Sequence, residues 1–328
     1  MAVTTKLLEQ IVSKFPQQFS LVFAYGSAVF PQNKELLRQG NMIDFIFSVD
    51  DPVKWHQLNL KINSKHYSLA KFGGAEFIRS VQENFGANVY FNTMVEVENK
   101  LIKYGVVSTN HLVEDLLDWQ TLYVSGRLHK PVKIISNSNN EDLTRALHTN
   151  LQSALHASLL SLPETFSEEQ LYHKISELSY NGDFRMYFGE DKRKIENIVK
   201  NQISYFHHLY CDHLKMMPLV HWNQTQHIFE QDCSSTTTLH HLNFLPKRVQ
   251  HNLLLRWNRD GRYRDMEDVL QVLACASECS EIVKNAIKDI VWWPSITQSA
   301  KGIITAGFLK SVKYSTRKVQ KMLKSLKK

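Results

Sequence analysis

No stretch of the chain approaches the roughly 18 consecutive apolar residues needed to cross a bilayer, so any membrane role is played from the surface. Cysteine is scarce. Cys211, Cys233, Cys275 and Cys279 are four residues in 328, too few and too unevenly placed for a disulfide framework, which fits a reducing compartment. Neither GxxxxGK[ST] nor GxGxxG occurs, which removes the phosphate-binding turns of P-loop ATPases and Rossmann proteins. Zinc spacing is missing too. Cys275 and Cys279 lie one helical turn apart with no matching pair and read as core. His207-His208 and His240-His241 are adjacent in sequence, so their side chains diverge on any regular element and do not share a metal. There is no internal repeat. With 43% hydrophobic and 22% charged residues, the composition is that of an ordinary globular chain, long enough for two domains.

One further absence is local. Residues 301–328 hold nine basic residues and no acidic one. Removing those nine from the 39 Lys+Arg leaves 30 basic residues against 32 Asp+Glu, so the formal charge of +7 belongs to this tail. On a helix over 308–328, Phe308, Val312, Val319, Met322, Leu323 and Leu326 share one stripe, and every basic residue from Lys310 to Lys328 falls on the remaining arc, Lys313, Arg317, Lys321 and Lys324 among them. An apolar stripe opposite a wholly cationic face is the signature of an interfacial helix on anionic lipid. A nucleic-acid tail is basic but needs no apolar stripe.

Hydrophobic patterning predicts a mixed fold, α/β or α+β. The first 15 residues space Val3, Leu7, Leu8, Ile11, Val12 and Phe15 as a helix that stops at Pro16. With Glu9, two lysines and no arginine, the segment is a poor transit peptide and a fair core helix. Strands are expected at Ser20–Tyr25, Met42–Val49, Ala87–Val97, Lys100–Val107 and Lys130–Ile135, with helices near 53–62, 74–84 and 111–123. The polar run Ser136-Asn137-Ser138-Asn139-Asn140 then divides a first domain, 1–136, from a mostly helical second domain, 141–291. Helices are expected over 141–160, over 167–179 behind a capping box, over 190–210 and over 262–291. Residues 212–250 defy assignment. Trp292-Trp293-Pro294 separates the last helix from the tail, 292–328.

The sharpest local feature is Gly26-Ser27 at a strand end, followed by Asp44 inside the apolar strand MIDFIFSV. A Gly-Ser turn lets backbone N–H groups approach phosphate oxygens, and a carboxylate between Ile43 and Phe45 asks for a cation. Together they suggest a metal and phosphate site of the nucleotidyltransferase kind, with Asp44 on Mg²⁺ and Ser27 on a polyphosphate. The usual second carboxylate position is Ile46, and Asp50 and Asp51 serve equally as ligands or as helix caps.

The segments FAYGSAVFPQ (23–32), MIDFIFSVDDPVKWH (42–56), KHYS (65–68), LIKYGVVST (101–109), LYVSGRLHKPVKII (122–135), LSYNGDFRM (178–186), GEDKRKIENIV (189–199) and SAKGIITAGFLKSVKYS (299–315) together resemble the mitochondrial phosphatidate cytidylyltransferases. The likeness runs in order over nearly the whole chain and is poorest over 212–290. It implies a nucleotidyltransferase domain, a winged-helix-like domain and a membrane-associating C-terminal extension. The implied reaction is CTP plus phosphatidate giving CDP-diacylglycerol and pyrophosphate, with Mg²⁺, on the matrix face of the inner mitochondrial membrane, feeding phosphatidylglycerol and cardiolipin synthesis. It makes Asp44 and Asp183 candidate catalytic residues, and Gly26, Ser27, Lys103, Arg127, Lys133 and Lys192 candidate phosphate binders, beside Lys130 and Lys194. Each lysine also fits a solvated surface, and Asp183 also fits a local pair with Arg185. Two rival readings are a noncatalytic maintenance factor for inner-membrane translocators, suggested by Ile46, and a nucleotidyltransferase acting on RNA, which the near-neutral body fits poorly.

Overall fold

A computed structural model describes residues 3–30, 42–187 and 193–306. Lys192 and the tail residues Phe308, Val312, Lys313, Arg317, Lys321 and Lys324 lie outside the described residues.

The first half is built on a five-stranded mixed sheet of β1 (Leu21–Tyr25), β2 (Ile43–Val49), β3 (Tyr90–Val97), β4 (Lys100–Ser108) and β5 (Lys133–Asn137), in the order β3-β4-β2-β1-β5. β2 and β4 run parallel and the other neighbours antiparallel. The central β2 is apolar at alternate and intervening positions because both sheet faces are covered. On one face α1 (Thr5–Val12), the segment after it and α2 (Pro52–Asn63) bring Leu8, Ile11, Phe15 and Trp55 against Phe45, Phe47 and Tyr104. The helix α3 (Gly74–Asn84) packs against α2 and β3. On the other face α4 (Thr109–Asp118), the single turn α5 (Ser125–Leu128) and the start of α6 (Glu141–Leu159) bring Leu112, Leu116, Leu128 and Leu143 against Phe23 and Ile46.

α6 carries the chain into the second half, where Ala154, Leu155 and Leu159 join a separate core. There follow β6 (Thr165–Phe166), α7 (Glu168–Glu177), α8 (Lys194–Lys215) and the hairpin β7 (Val220–Asn223) and β8 (Ile228–Gln231), the strands ordered β6-β8-β7. The capping box expected at Ser167 forms with Gln170. The stretch that resisted assignment thus holds this hairpin, α9 (Ser235–Asn243) and α10 (Lys247–Trp257). Its strands are too short to show a period, and Gln231 is held from outside by donating to the carbonyls of Leu159, Leu162 and Pro163.

Three elements differ most from expectation. The helix at 111–123 ends at Asp118, because Trp119 turns left-handed with φ +54°. Lys130 does not begin a strand but follows α5. The helix expected over 262–291 is two, α11 (Met266–Ala274) and α12 (Cys279–Ala306), and α12 runs straight through Pro294. Proline normally ends a helix. Here tertiary contacts outweigh it: beyond Pro294 the helix lies on β3, where Gln298 accepts from the Ala87 amide and donates to the Val89 carbonyl. Lys301, read from sequence as one of the basic tail residues, is buried instead, its ammonium donating to the carbonyls of Val81, Gln82 and Phe85 at the end of α3. A cation suits a helix C-terminus.

Candidate functional site

The site grows from strand register. Tyr25 pairs with Asp44 across β1 and β2, and Asp44 pairs with Lys103 across β2 and β4, so all three occupy one sheet face beside Phe23 and Ile46. Gly26 turns the chain at the end of β1 with φ +88°, and an added Cβ would stand 3.2 Å from the Asp44 Oδ2. Its carbonyl accepts from the amides of Val29 and Phe30 and closes the turn that contains Ser27. Lys103 Nζ sits 4.1 Å over the Phe91 ring, a cation–π contact that steadies the long side chain.

A second group reaches this face from the loop after α4. Asp115 is buried and organises it: Oδ1 accepts from Thr121 N, Thr121 Oγ1 and Leu122 N at 2.7–3.0 Å. Oδ2 accepts from Val124 N, Ser125 N and Ser125 Oγ at 2.8–3.3 Å. Trp119 and Leu122 both adopt positive φ, strain that a buried carboxylate with six donors offsets. Asn150 locks the base of the loop, accepting from Trp119 Nε1 and pairing with His129 Nε2, both at 2.9 Å, and donating to the Ser125 carbonyl. Burial holds the His129 imidazole neutral, its pKa lowered to about 3.

The loop presents Tyr123 and Arg127. The guanidinium lies 4.0 Å from the Tyr123 ring and 5.3 Å from the Tyr25 ring, and it donates to the Tyr123 carbonyl. The Arg185 guanidinium, from the second half, stands 5.9 Å from the same Tyr123 ring. Burial alone would raise the Tyr123 phenol, but Arg127, Arg185 and Lys103 outweigh it and bring it down to about 8. Lys130 donates to the Gly126 carbonyl and, at 2.7 Å, to the Ser179 hydroxyl. Burial, with Arg127 and Lys194 nearby, lowers it to about 7. Lys130 and Lys194 flank Tyr180 at 5.1 and 5.2 Å. The two halves meet tightly here, since a Cβ on Gly126 would come within 2.4 Å of the Ser179 Cβ.

Of the residues singled out from sequence, Gly26, Asp44, Lys103 and Arg127 are thus brought together. Lys133 is not: it pairs with Ala24, whose side chain joins the face packed by α1 and α2, opposite to Asp44. Asp183 lies at the site's edge but is occupied. It is 3% exposed, and both carboxylate oxygens accept from Arg185 Nε, with Oδ2 also taking Nη2 at 2.5 Å. Burial raises its pKa, and the Arg185 pair outweighs that to leave it lowered. The local Asp-Arg pair is therefore real, and its effect is to aim Arg185 at Tyr123. Tyr25, Tyr123, Asp115 and Ser179 were missed, because nothing in single tyrosines, a helix aspartate or a serine distinguishes them before the loop is folded.

Contrary to the expectation from their adjacency, His240 and His241 do not diverge into separate surroundings; with His156 they bring ring nitrogens within 4.8 Å of one another. His156 and His241 face each other Nδ1 to Nδ1 at 2.9 Å, and Phe244 stacks on His156. Burial lowers them to about 3 and about 4, so one neutral ring donates to the other. This cluster lies within the second half, on α6 and α9.

Comparison with known proteins adds identity to the geometry. A family model described as phosphatidate cytidylyltransferase, mitochondrial, matches residues 8–321. A Danio rerio protein of that name is 51% identical over 317 residues, covering 95% of this chain and 93% of the relative. The Xenopus laevis protein of the same name is 48% identical over 320 residues, covering 97% and 95%. One from Schizosaccharomyces pombe is 38% identical over 333 residues, covering 97% and 84%.

Proposed function

Since the chain belongs to the mitochondrial phosphatidate cytidylyltransferase family, we propose the following account of how its residues perform that reaction. The enzyme joins CTP to phosphatidate and releases pyrophosphate, giving CDP-diacylglycerol. A phosphate oxygen of the lipid attacks the α-phosphorus of CTP; the new P–O bond forms as the bond to the β-phosphate breaks, and pyrophosphate leaves with the electron pair. The nucleophile is a phosphate monoester, already anionic near neutral pH, so no side-chain base is required. What the reaction needs is relief of anion–anion repulsion and an in-line geometry.

The single observation that carries this account is the shared sheet face of Tyr25, Asp44 and Lys103 with the Gly26 turn against Asp44, beside the guanidinium groups of Arg127 and Arg185 around Tyr123. Gly26 and Ser27 receive the CTP phosphates. Lys103, Arg127 and Arg185 balance the charge that accumulates on the phosphate oxygens. Asp183 acts as a positioning residue through its grip on Arg185. Lys194, beside Tyr180 and Lys130, extends the cationic rim toward the lipid phosphate, and Lys192 is a candidate phosphate binder on its sequence block alone.

Asp44 suits Mg²⁺ more than a fully protein-caged cation. Among the described residues no cluster of three potential ligands includes it, and Mg²⁺ is commonly held by one or two carboxylates together with substrate phosphates and water. Bound there, Mg²⁺ supplies electrostatic stabilisation of the phosphate oxygens. The finer fold reading also belongs here: residues 1–136 as a nucleotidyltransferase domain, and 141–291 as a winged-helix-like domain, supported by the order helix, strand, helix, helix, hairpin with β6 beside β8. The relatives are named mitochondrial, and no described helix is long and apolar enough to cross a membrane. Both fit a peripheral enzyme on the matrix side of the inner membrane, held to anionic lipid by the basic tail and feeding cardiolipin synthesis. The noncatalytic and RNA readings are not favoured.

The test is transfer of radiolabelled cytidylate from CTP to vesicle phosphatidate with and without Mg²⁺. Label should enter lipid in step with pyrophosphate release, and Asp44→Asn should lose at least about 100-fold in kcat while keeping its circular dichroism. Full activity in Asp44→Asn, or full activity in chelator, would overturn the assignment of Asp44 to the metal.

A further inference from the structure

Two of the most exposed large apolar side chains in the described residues are neighbours on one loop: Leu69 is 80% exposed and Phe72 is 79% exposed. Ile62 and Phe77, on the flanking helices α2 and α3, are exposed as well. Their exposure does not come from a poorly anchored segment. Tyr67, just before the loop, is buried, its hydroxyl meeting His56 Nδ1 at 2.8 Å and accepting from Asn59 Nδ2 at 2.9 Å. Ala70 packs on the Tyr67, Ile78 and Tyr90 cluster. The base is fixed, and Leu69 and Phe72 project from it.

Along the chain the charge flanking the loop is one-sided as far as Glu76 at the start of α3, which pairs with Arg79. Between Asp51 and Glu76 there is no acidic residue, while Lys54, Lys61, Lys65 and Lys71 lie in that interval. Lys71 Nζ sits 5.2 Å from the Phe72 ring centre, so an ammonium and an aromatic ring occupy the same projection. Exposed apolar tips set among cations match the headgroup region of an anionic bilayer, where rings and aliphatic chains enter the acyl boundary and lysines stay at the phosphates.

The loop also adjoins the end of α12. Ser68 Oγ donates to the Thr305 carbonyl at 2.5 Å, and Thr305 Oγ1 reaches the Phe91 carbonyl. Phe91 in turn lies under Lys103. The last described turn of α12 therefore lies beside Ser68, and a short run of contacts links the loop to the candidate site.

We infer that the Ser68–Gly73 loop, whose Leu69–Gly73 stretch forms a 3-10 turn, is a membrane-contacting element in its own right, inserting Leu69 and Phe72 into an anionic lipid surface next to the site that takes its substrate from that surface. The inference rests on the lipid-substrate reading above. It places a lipid contact beside the last described turn of α12, so that membrane binding orients the site as well as holding the enzyme.

The test uses the full chain carrying Leu69→Ser with Phe72→Ser, and separately Phe72→Trp. Vesicles of phosphatidylcholine and phosphatidylglycerol serve for binding, with phosphatidate added for activity and a short-chain, water-dispersed phosphatidate as the second substrate. The double variant is expected to lose about tenfold or more in vesicle binding and a similar factor in transfer to vesicle phosphatidate, with transfer to the short-chain substrate within twofold. Phe72→Trp is expected to add tryptophan emission, relative to the parent, that brominated lipids quench. Wild-type vesicle binding by the double variant, with the added emission of Phe72→Trp left unquenched by brominated lipids, overturns the inference. So does a soluble dimer that the double variant converts to monomer, because the loop then covers a second copy. Failure of the lipid-substrate reading is a different outcome: no label enters either phosphatidate, whatever the vesicle binding.

Discussion

Asp115→Asn probes the structural support of the site without touching a residue that faces substrate. The carboxylate takes six hydrogen bonds, four of them from backbone amides at 121, 122, 124 and 125. With the amide nitrogen at the Oδ2 position, Val124 N, Ser125 N and Ser125 Oγ each meet a donor in place of an acceptor. Bonds to a charged acceptor contribute roughly 1.5–3 kcal/mol each, but members of one network do not add. We expect a loss of about 3–5 kcal/mol. The lower figure is already about 100-fold in an equilibrium constant, enough to populate forms in which the strained loop leaves its native path. Because Tyr123 and Arg127 ride on that loop, kcat/KM should fall at least about tenfold. Urea unfolding followed by fluorescence gives the stability, and labelled CTP with short-chain phosphatidate gives the rate. A stability loss under about 1 kcal/mol, with kcat/KM within twofold of wild type, would refute the view that this carboxylate holds the loop.

Two further predictions concern protons. The folded Tyr123 pKa of about 8 lies below its ordinary value of 10.0, so its contribution to stability is fully present above pH 10 and is lost as pH falls through 8. Wild type should therefore gain up to about 3 kcal/mol over Tyr123→Phe between those limits. One tyrosinate absorbance step near pH 8 should vanish in that variant and move upward when pyrophosphate occupies the site; its persistence in Tyr123→Phe would show that another group titrates. Burial lowers Lys301 from 10.5 to about 7. The unfolded chain then binds more protons across that window, and stability should rise with pH from 7 to 10.5. The three carbonyls at the end of α3 oppose the shift by favouring the ammonium, so the rise should fall short of the roughly 5 kcal/mol that burial alone implies. Lys301→Met should flatten this component, and a slope equal to wild type over that range would disprove it.

The strands and most helices were legible because burial leaves a period. SLVFAY, MIDFIFSV and the hairpin at 87–107 pack both or one sheet face and read accordingly. The small hairpin at 220–231 and the path of α12 through Pro294 were not legible, since four-residue strands carry no period and a proline's local preference yields to distant contacts at Gln298 and Lys301. Gly26 and Asp44 stood out individually, as a glycine at a strand end and a carboxylate among apolar neighbours. Their pairing with Lys103 did not, because a parallel register between β2 and β4 spans a long connection and sets which lysine stands beside the aspartate.

By itself, then, the amino-acid sequence determined the sheet-and-helix character of the first half, the helical second half and the ordered blocks that mark the family. Those properties depend on local spacing and on residue type. Tertiary structure alone decided that Lys133 faces away from Asp44, that the Asp183–Arg185 pair stands against Tyr123, that Asp115 holds the loop of Tyr123 and Arg127, and that Lys301 caps a helix in the interior. Each of these depends on which groups share a few ångströms of low-dielectric space, and in that space charge, burial and hydrogen bonding are set by partners far away along the chain.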